Sequence, residues 1–342
     1  MLMMDSKYKA AAVFGGIGGF CLGFARHGIP TEWAIENEEN AVKSYKENIK
    51  GATVLKNNGQ VADIRDVSVS SFGLKHVDVL HAGFPCQSFS QAGNRKGFDD
   101  PRGQLFHDLI RIINEFGEDR PKVLVFENSP YLRYGQSGRW LDIVSSCIRK
   151  SGYWFRESNC VEVDLAEVSS SPQRRNRLFM LAFATNRFKN GRFSMPKMRK
   201  EVAEKDLSQF ISFEDEQDDG YYLDPDNRYY KMISEHADEE RRLYQLRKYE
   251  VRKMEKGVCP TLTANMGLGG HNIPFIFDKK GLRKLTEYEC LALQGFPDNF
   301  MFPEDVPRYA RYVQIGNSVS PLVASTIAET VLEKLEGSST YV

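Results

Sequence analysis

The chain has no apolar run approaching the roughly 20 residues that a membrane-spanning helix requires. Its opening residues, Met1-Leu2-Met3-Met4-Asp5, lack the charged and apolar blocks of a secretory leader. Cysteine is scarce and scattered: Cys21, Cys86, Cys147, Cys160, Cys259 and Cys290 form no C-x-x-C pair and have no histidine at ligand spacing. That argues against a zinc or other metal site and against a disulfide framework, and it suits a reducing cytosol. Net charge is missing too. The 46 basic and 46 acidic side chains cancel, so bulk electrostatics do not announce a nucleic-acid binder.

What is present is an ordinary soluble composition, 27% charged and 41% hydrophobic, in 342 residues, enough for one large domain and a smaller one. Charge is unevenly spread. Residues 187–200 and 241–256 are basic, and the run Glu214-Asp215-Glu216-Gln217-Asp218-Asp219 between them is acidic. Such runs are either solvated faces or the footprint of a charged partner.

The first 185 residues alternate short apolar runs with helical patterns, which predicts a doubly wound α/β domain with a mostly parallel sheet. Residues 9–20 carry a strand into the glycine cluster of Phe14-Gly15-Gly16-Ile17-Gly18-Gly19 and then a helix. Glycines at such a turn let the backbone approach a ligand, although the spacing is not the dinucleotide G-x-G-x-x-G. Trp33-Ala34-Ile35-Glu36 is a second strand closing on an acid, 18 residues past Gly18. Nucleotide-binding α/β proteins place a ribose-binding carboxylate at about this interval, roughly 20 residues on. Val61-Ala62-Asp63-Ile64-Arg65 reads as a third strand end, and Val77–Ala82 as a fourth strand, running into Gly83-Phe84-Pro85-Cys86-Gln87-Ser88-Phe89-Ser90.

Proline stops that strand abruptly and leaves the Cys86 thiol at the sheet's carboxyl edge. Two readings stand there: a small hydrophobe capping the sheet, or a nucleophile. Residues 88–103, with Gly93, Gly97 and Gly103, read as a lid loop before a helix over 104–116. Pro121–Asn128 is a fifth strand that ends in Glu127; that acid is either a site carboxylate or a first-turn residue of the next helix.

In Pro172-Gln173-Arg174-Arg175-Asn176-Arg177 the alternate residues Gln173, Arg175 and Arg177 would share one face, able to hold an anion or a base carbonyl, or else form a solvated basic turn. From 186 to about 257 the pattern weakens and aromatics interleave with charge, which predicts a second, smaller domain. The glycine- and hydroxyl-rich stretch 258–273, containing Thr261 and Thr263, suits phosphate contacts. A helix capped by Thr286 with Glu289 three on runs to Leu293, and Gln314–Ser320 leads into a final helix from Pro321.

Taken together, these segments resemble the C5-cytosine DNA methyltransferases over residues 11–183 and 258–331. Seven motifs stand in family order. The glycine loop looks like the S-adenosyl-L-methionine (AdoMet) loop, Glu36 the ribose acid, Asp63-Ile64 the adenine pair, and Pro85-Cys86-Gln87 the nucleophile motif. Glu127-Asn128 looks like the acid partner, Gln173-x-Arg175-x-Arg177 the arginine motif, and Gly316-Asn317-Ser318-Val319 the segment completing the cofactor pocket. The resemblance implies catalysis by Cys86, Glu127, Arg175 and Arg177. It implies AdoMet held by Phe14, Gly16, Ile17, Gly18, Gly19, Glu36, Asn37, Asp63, Ile64, Pro85, Leu105, Asn317, Ser318 and Val319. Substrate contacts fall to Gln87, Ser88, Ser90, Asn128, Gln173, Thr261 and Thr263.

The sequence departs from the family at Ala12-Val13-Phe14, where Asp-Leu-Phe is usual, at Ser129 after Glu127-Asn128, and at Asn37, where adenine often meets a large side chain. All three bear on the cofactor rather than the chemistry. The expected division is a catalytic domain over 1–185, a target-recognition domain over 186–285, and a hinge and returning segment over 286–342. The implied enzyme is a monomer of the bacterial cytosol or nucleoid that methylates a flipped cytosine in double-stranded DNA, with a possible cognate restriction endonuclease. Alternatives are a tRNA-cytosine methyltransferase and a catalytically idle DNA-binding protein on the same scaffold; the glycine spacing speaks against a nicotinamide oxidoreductase.

Overall fold

A computed structural model describes residues 6–85, 101–189, 205–238, 241–247, 250–268 and 273–338. Cys86, Gln87, Ser88, Ser90 and the expected lid over 88–100 lie outside the described residues. The chain forms two compact units. One gathers Met1–Val163, Asn176–Met198 and Val323–Val342; the other gathers Asp164–Arg175 and Arg199–Leu322.

The first unit is built on a mixed sheet. Its strands are β1 (Ala10–Val13), β2 (Thr31–Ile35), β3 (Thr53–Val54), β6 (Val79–Gly83), β7 (Val123–Asn128), β8 (Tyr153–Trp154), β9 (Cys160–Asp164) and β10 (Asn176–Ala184), while β4 (Lys56–Asn57) and β5 (Gln60–Val61) form a separate hairpin. The order is β3-β2-β1-β6-β7-β10-β8, with β9 on β10. The first five are parallel, and β10 runs antiparallel to β7. Strands β1 and β7 are buried along their whole length, as strands covered on both faces must be, which is why they read as unbroken apolar runs. The helix Pro101–Glu115 supplies Phe106, Leu109, Ile112 and Ile113 to the core on one side.

From β1 the chain builds outward to β2 and β3, then returns to β1's other side for β6 and β7. The order therefore reverses at β1/β6, and the crevice beyond the carboxyl ends of those strands is where such sheets bind ligands. The register sets the floor of that crevice: Val13 pairs with Ile35 on one side and Ala82 on the other, and Gly83 pairs with Glu127.

One expectation is corrected. Residues 61–65 do not end a third strand of the main sheet; that place belongs to Thr53–Val54. The reason is the Asn58-Gly59 turn, with φ of 50° and 83°, which folds β4 back on β5 as a tight hairpin.

The second unit contains a four-stranded antiparallel sheet, β12-β11-β13-β14, from β11 (Tyr244–Leu246), β12 (Val251–Lys253), β13 (Ile273–Phe277) and β14 (Leu282–Lys284). Tyr244, Leu246, Phe275 and Leu282 pack with Ile233 in its core. The helix Glu287–Gln294 starts on the Thr286/Glu289 capping box that the sequence predicts and stops at Gly295.

Candidate active site

The glycine loop leaves β1 through three left-handed residues, Phe14 (φ 56°), Gly16 (φ 54°) and Gly18 (φ 88°). Phe14 is the costly one, since a bulky L-residue there is strained by roughly 1–3 kcal/mol. The next residue is tied down, Gly15 N–H donating to the Ile35 carbonyl at 3.1 Å. At Gly18 a Cβ would lie 2.6 Å from the Ile49 side chain, so both space and φ require glycine. Ile17 is fully buried and Gly19 begins the following helix.

Glu36, just past β2, receives the Gly16 N–H on Oε2 at 2.8 Å and the Asn37 and Glu38 N–H groups on Oε1 at 2.9 Å each. Burial pushes its carboxyl above the ordinary glutamate value, and the three N–H donors pull it partly back. Oε2 carries one protein donor, which leaves it a lone pair for a ligand hydroxyl. Asn37 Nδ2 donates to Asp63 Oδ2 at 3.3 Å, joining this carboxylate to the 63–66 turn. There Arg65 grips Asp63 with Nε at 2.9 Å and Nη2 at 2.7 Å, and holds its carboxyl down to about 2. Ile64 is buried in the core, and its carbonyl and that of Val67 accept from Arg111 at 2.8 Å each. Nothing in the sequence pattern marks Arg111 for this task. Bare backbone at the glycines and an accepting carboxylate fit a nucleoside bearing a ribose diol, as AdoMet does.

Along the same edge, β6 ends at Gly83 and is followed by Phe84, whose ring packs 5.1 Å from Phe106 and 6.2 Å from Phe126, and then by Pro85. Leu105, on the adjoining helix, is half-buried against the same core. Glu127 is 8% exposed at the end of β7, beside Gly83, and Arg177 Nε lies 3.1 Å from its Oε1. Arg177 is delivered by β10, whose Phe179 pairs with Glu127 itself. Asn128, expected to touch substrate, is fully buried instead. Its Nδ2 donates to the Phe84 carbonyl at 3.1 Å and its Oδ1 accepts from Ser129 N–H at 2.8 Å. It braces the segment entering Pro85-Cys86.

The three alternating residues of the arginine motif have different protein partners. Strand β10 begins only at Asn176; before it, Gln173 bridges to Cys259 within the second unit. Gln173 is fully buried, donates to Gln294 Oε1 at 2.7 Å and accepts from Leu262 N–H at 3.1 Å. Arg175 is 3% exposed and donates to the carbonyls of Leu262 (2.9 Å), Gly316 (3.0 Å) and Ser318 (2.8 Å). Arg177, by contrast, lies against Glu127.

Asn317, exposed at the end of the helix Arg308–Asn317, and the buried Ser318 and Val319 belong to the second unit. The Ser318 carbonyl also accepts from Gln294 Nε2 at 2.9 Å, a partner with no signal in the sequence. The Thr261 and Thr263 hydroxyls donate to the Arg174 carbonyl and to Asn265 Oδ1, each at 2.5 Å. No helix among the described residues is long and apolar enough to cross a membrane.

The sequence profile of the C-5 cytosine-specific DNA methylases matches residues 8–333. The type II methyltransferase M.Bsp6I of Bacillus sp. (strain RFL6) is 36% identical over 331 residues, spanning 96% of this chain and 99% of that protein. M.NlaX of Neisseria lactamica is 33% identical over 347 residues, spanning 97% and 98%. Two solved structures share the fold at 20% identity: the Entamoeba histolytica methyltransferase EhMeth (TM-score 0.70, 97% of this chain and 99% of that one) and S. pombe Dnmt2 (TM-score 0.71, 96% and 99%). The chain therefore belongs to the C-5 cytosine-specific DNA methylases, DNA (cytosine-5-)-methyltransferases that draw their methyl group from AdoMet.

Proposed function

We propose that the enzyme methylates C5 of a cytosine flipped out of a specific duplex sequence, through a covalent bond between Cys86 and C6. C5 is a poor nucleophile while the ring is aromatic. The Cys86 thiolate adds to C6, forming an S–C6 bond and moving an electron pair toward C5. AdoMet supplies the electrophilic methyl group that C5 takes. Loss of the C5 proton to water returns the pair to the ring and breaks the S–C6 bond, releasing the thiolate. Glu127, held by Arg177, keeps a hydrogen at N3 so that charge entering the ring is neutralised as it develops. The target carbon is inaccessible in a stack, so the base must leave the duplex, at a cost of a few kcal/mol. Glu36 binds the ribose hydroxyls, with Asn37, Asp63 and Ile64 toward the adenine. Arg175 orders the backbone around 316–318.

The observation that carries this reading is the Arg177–Glu127 pair at 3.1 Å, on the strand adjoining the one that runs into Phe84-Pro85-Cys86. The enzyme works as a monomer in the bacterial cytosol or nucleoid, and a cognate endonuclease would share its site without touching it. The test is transfer of labelled methyl from AdoMet to duplex DNA and to tRNA, with the product located by bisulfite sequencing. The reading expects 5-methylcytosine at one fixed duplex sequence, abolished in Cys86→Ala while DNA binding survives. Transfer to tRNA alone, or none to either, overturns it.

A further inference from the structure

The second unit carries a cavity of about 220 Å³ whose polar lining includes Arg174, Gln245, Arg247, Arg252, Thr261 and Thr263, with no carboxylate among its walls. Strand alternation builds it. Tyr244 and Leu246 turn into the core, so Gln245 and Arg247 share the opposite face. Arg252 is the direct cross-strand partner of Gln245, which puts its side chain on that face too.

Arg174 on the cavity wall pairs with Glu255 at 3.2 Å, whereas Arg247 and Arg252 differ both from it and from the basic residues around them. Arg241 pairs with Glu214, and Arg242 with Asp238 at 3.1 Å; Lys253 also meets Asp238, at 2.5 Å. Arg228 lies over the Tyr229 ring. Arg247 and Arg252, both exposed, meet no carboxylate among the described residues. Gln245 is only 3% exposed, yet its one side-chain bond is an acceptance on Oε1 from Arg247 Nε at 3.4 Å. In that contact the amide oxygen is turned to Arg247, and Nε2, with no partner among the described residues, is available to a ligand. The Thr261 and Thr263 hydroxyl hydrogens are spent on protein oxygens.

Resting on the proposed function, we infer that Gln245, Arg247 and Arg252 determine sequence specificity by reading the O6/N7 edge of a guanine in the major groove. Two guanidiniums that meet no carboxylate among the described residues match an edge made only of acceptors, because an arginine fork can meet O6 and N7 together. Adenine presents an amino donor at N6 and cytosine one at N4, and a guanidinium, which has donors only, can pair with neither. A backbone phosphate would be served by the two exposed arginines alone, and the buried Gln245 amide beside them would have no task.

The test methylates a library of random duplexes with wild type, Gln245→Ala, Arg247→Ala and Arg252→Ala, reads the sites by bisulfite sequencing, and replaces each guanine of the site in turn by 7-deazaguanine. Arg247 and Arg252 are exposed, so their variants report on recognition even if the Gln245 variant proves unstable. One guanine position should lose about tenfold or more of its preference in the variants, the others holding. At that position the 7-deaza base should weaken wild type and leave Arg247→Ala unaffected. Uniform weakening at every sequence, with a shallower salt dependence, would mean phosphate contacts and overturn the inference, as would a preference lost at an A·T pair. Wild type that methylates no duplex would instead overturn the function on which it rests.

Discussion

Three backbone N–H groups converge on the Glu36 carboxylate while burial opposes its charge, and burial wins: its pKa stands above the ordinary value. For a carboxyl the sign follows. The folded apo protein holds this proton to higher pH than the unfolded chain, so Glu36's contribution to stability is present below the unfolded value and lost as pH rises through the folded one. Ribose hydroxyls donating to the charged form reverse the balance. AdoMet binding should therefore release a proton and weaken as pH falls through a window lying above 4.5, and Glu36→Gln should flatten that dependence. Calorimetry in two buffers of different ionisation heat reads it; proton uptake on binding would contradict it. Glu127 and Arg177 form the other decisive pair. Arg177→Ala should cut the single-turnover methyl-transfer rate by on the order of 100-fold or more, because it frees the acid from its guanidinium. AdoMet affinity should change by less than about threefold, since the cofactor residues are elsewhere. Equal losses in rate and affinity would show the pair to be scaffold.

Among the elements, the Gly316 contact sets how tightly the second unit closes. A Cβ there would stand 2.2 Å from Ala264 N and 2.3 Å from the Thr263 carbonyl carbon, both backbone atoms that cannot swing aside. Gly316→Ala should cost about 1–3 kcal/mol, seen as a lower urea midpoint at unchanged m-value. A midpoint equal to wild type would mean the helix Arg308–Asn317 shifts freely. The same scale separates what a linear reading reaches from what it does not. The runs that became β1, β2, β6, β7 and β10 were legible because burial on both faces leaves a continuous apolar signal, and the Thr286/Glu289 box because capping is local in sequence. The Asn58-Gly59 hairpin carries an equally local signal, the Asn-Gly dipeptide of a two-residue turn. The carbonyl partners of Arg175 have no signal in its spacing. They lie 87, 141 and 143 residues away, and a carbonyl has no sequence signature. Asn128, bonded to Phe84 across 44 residues, is hidden for the same reason.

For the molecule as a whole, the sequence leads one to expect divisions at 1–185, 186–285 and 286–342, whereas compactness groups 164–175 and 286–322 with the second unit and returns the chain from Val323 to the first. Charge follows a comparable logic. The total is zero, and the structure spends part of the 241–256 basic run on its own carboxylates, leaving Arg247 and Arg252 for something else. Yet specificity matters only if the chemistry is covalent catalysis by Cys86. The most direct measurement uses a duplex that the enzyme methylates, with 5-fluorocytosine at the target position. Fluorine at C5 cannot leave as a proton does, so the S–C6 bond, once made, cannot be broken by elimination. The account predicts an AdoMet-dependent, denaturation-resistant protein–DNA adduct carrying one transferred methyl group, mapped by peptide mass to Cys86. Absence of any adduct on DNA whose unmodified form is methylated, or an adduct at another residue, would contradict it.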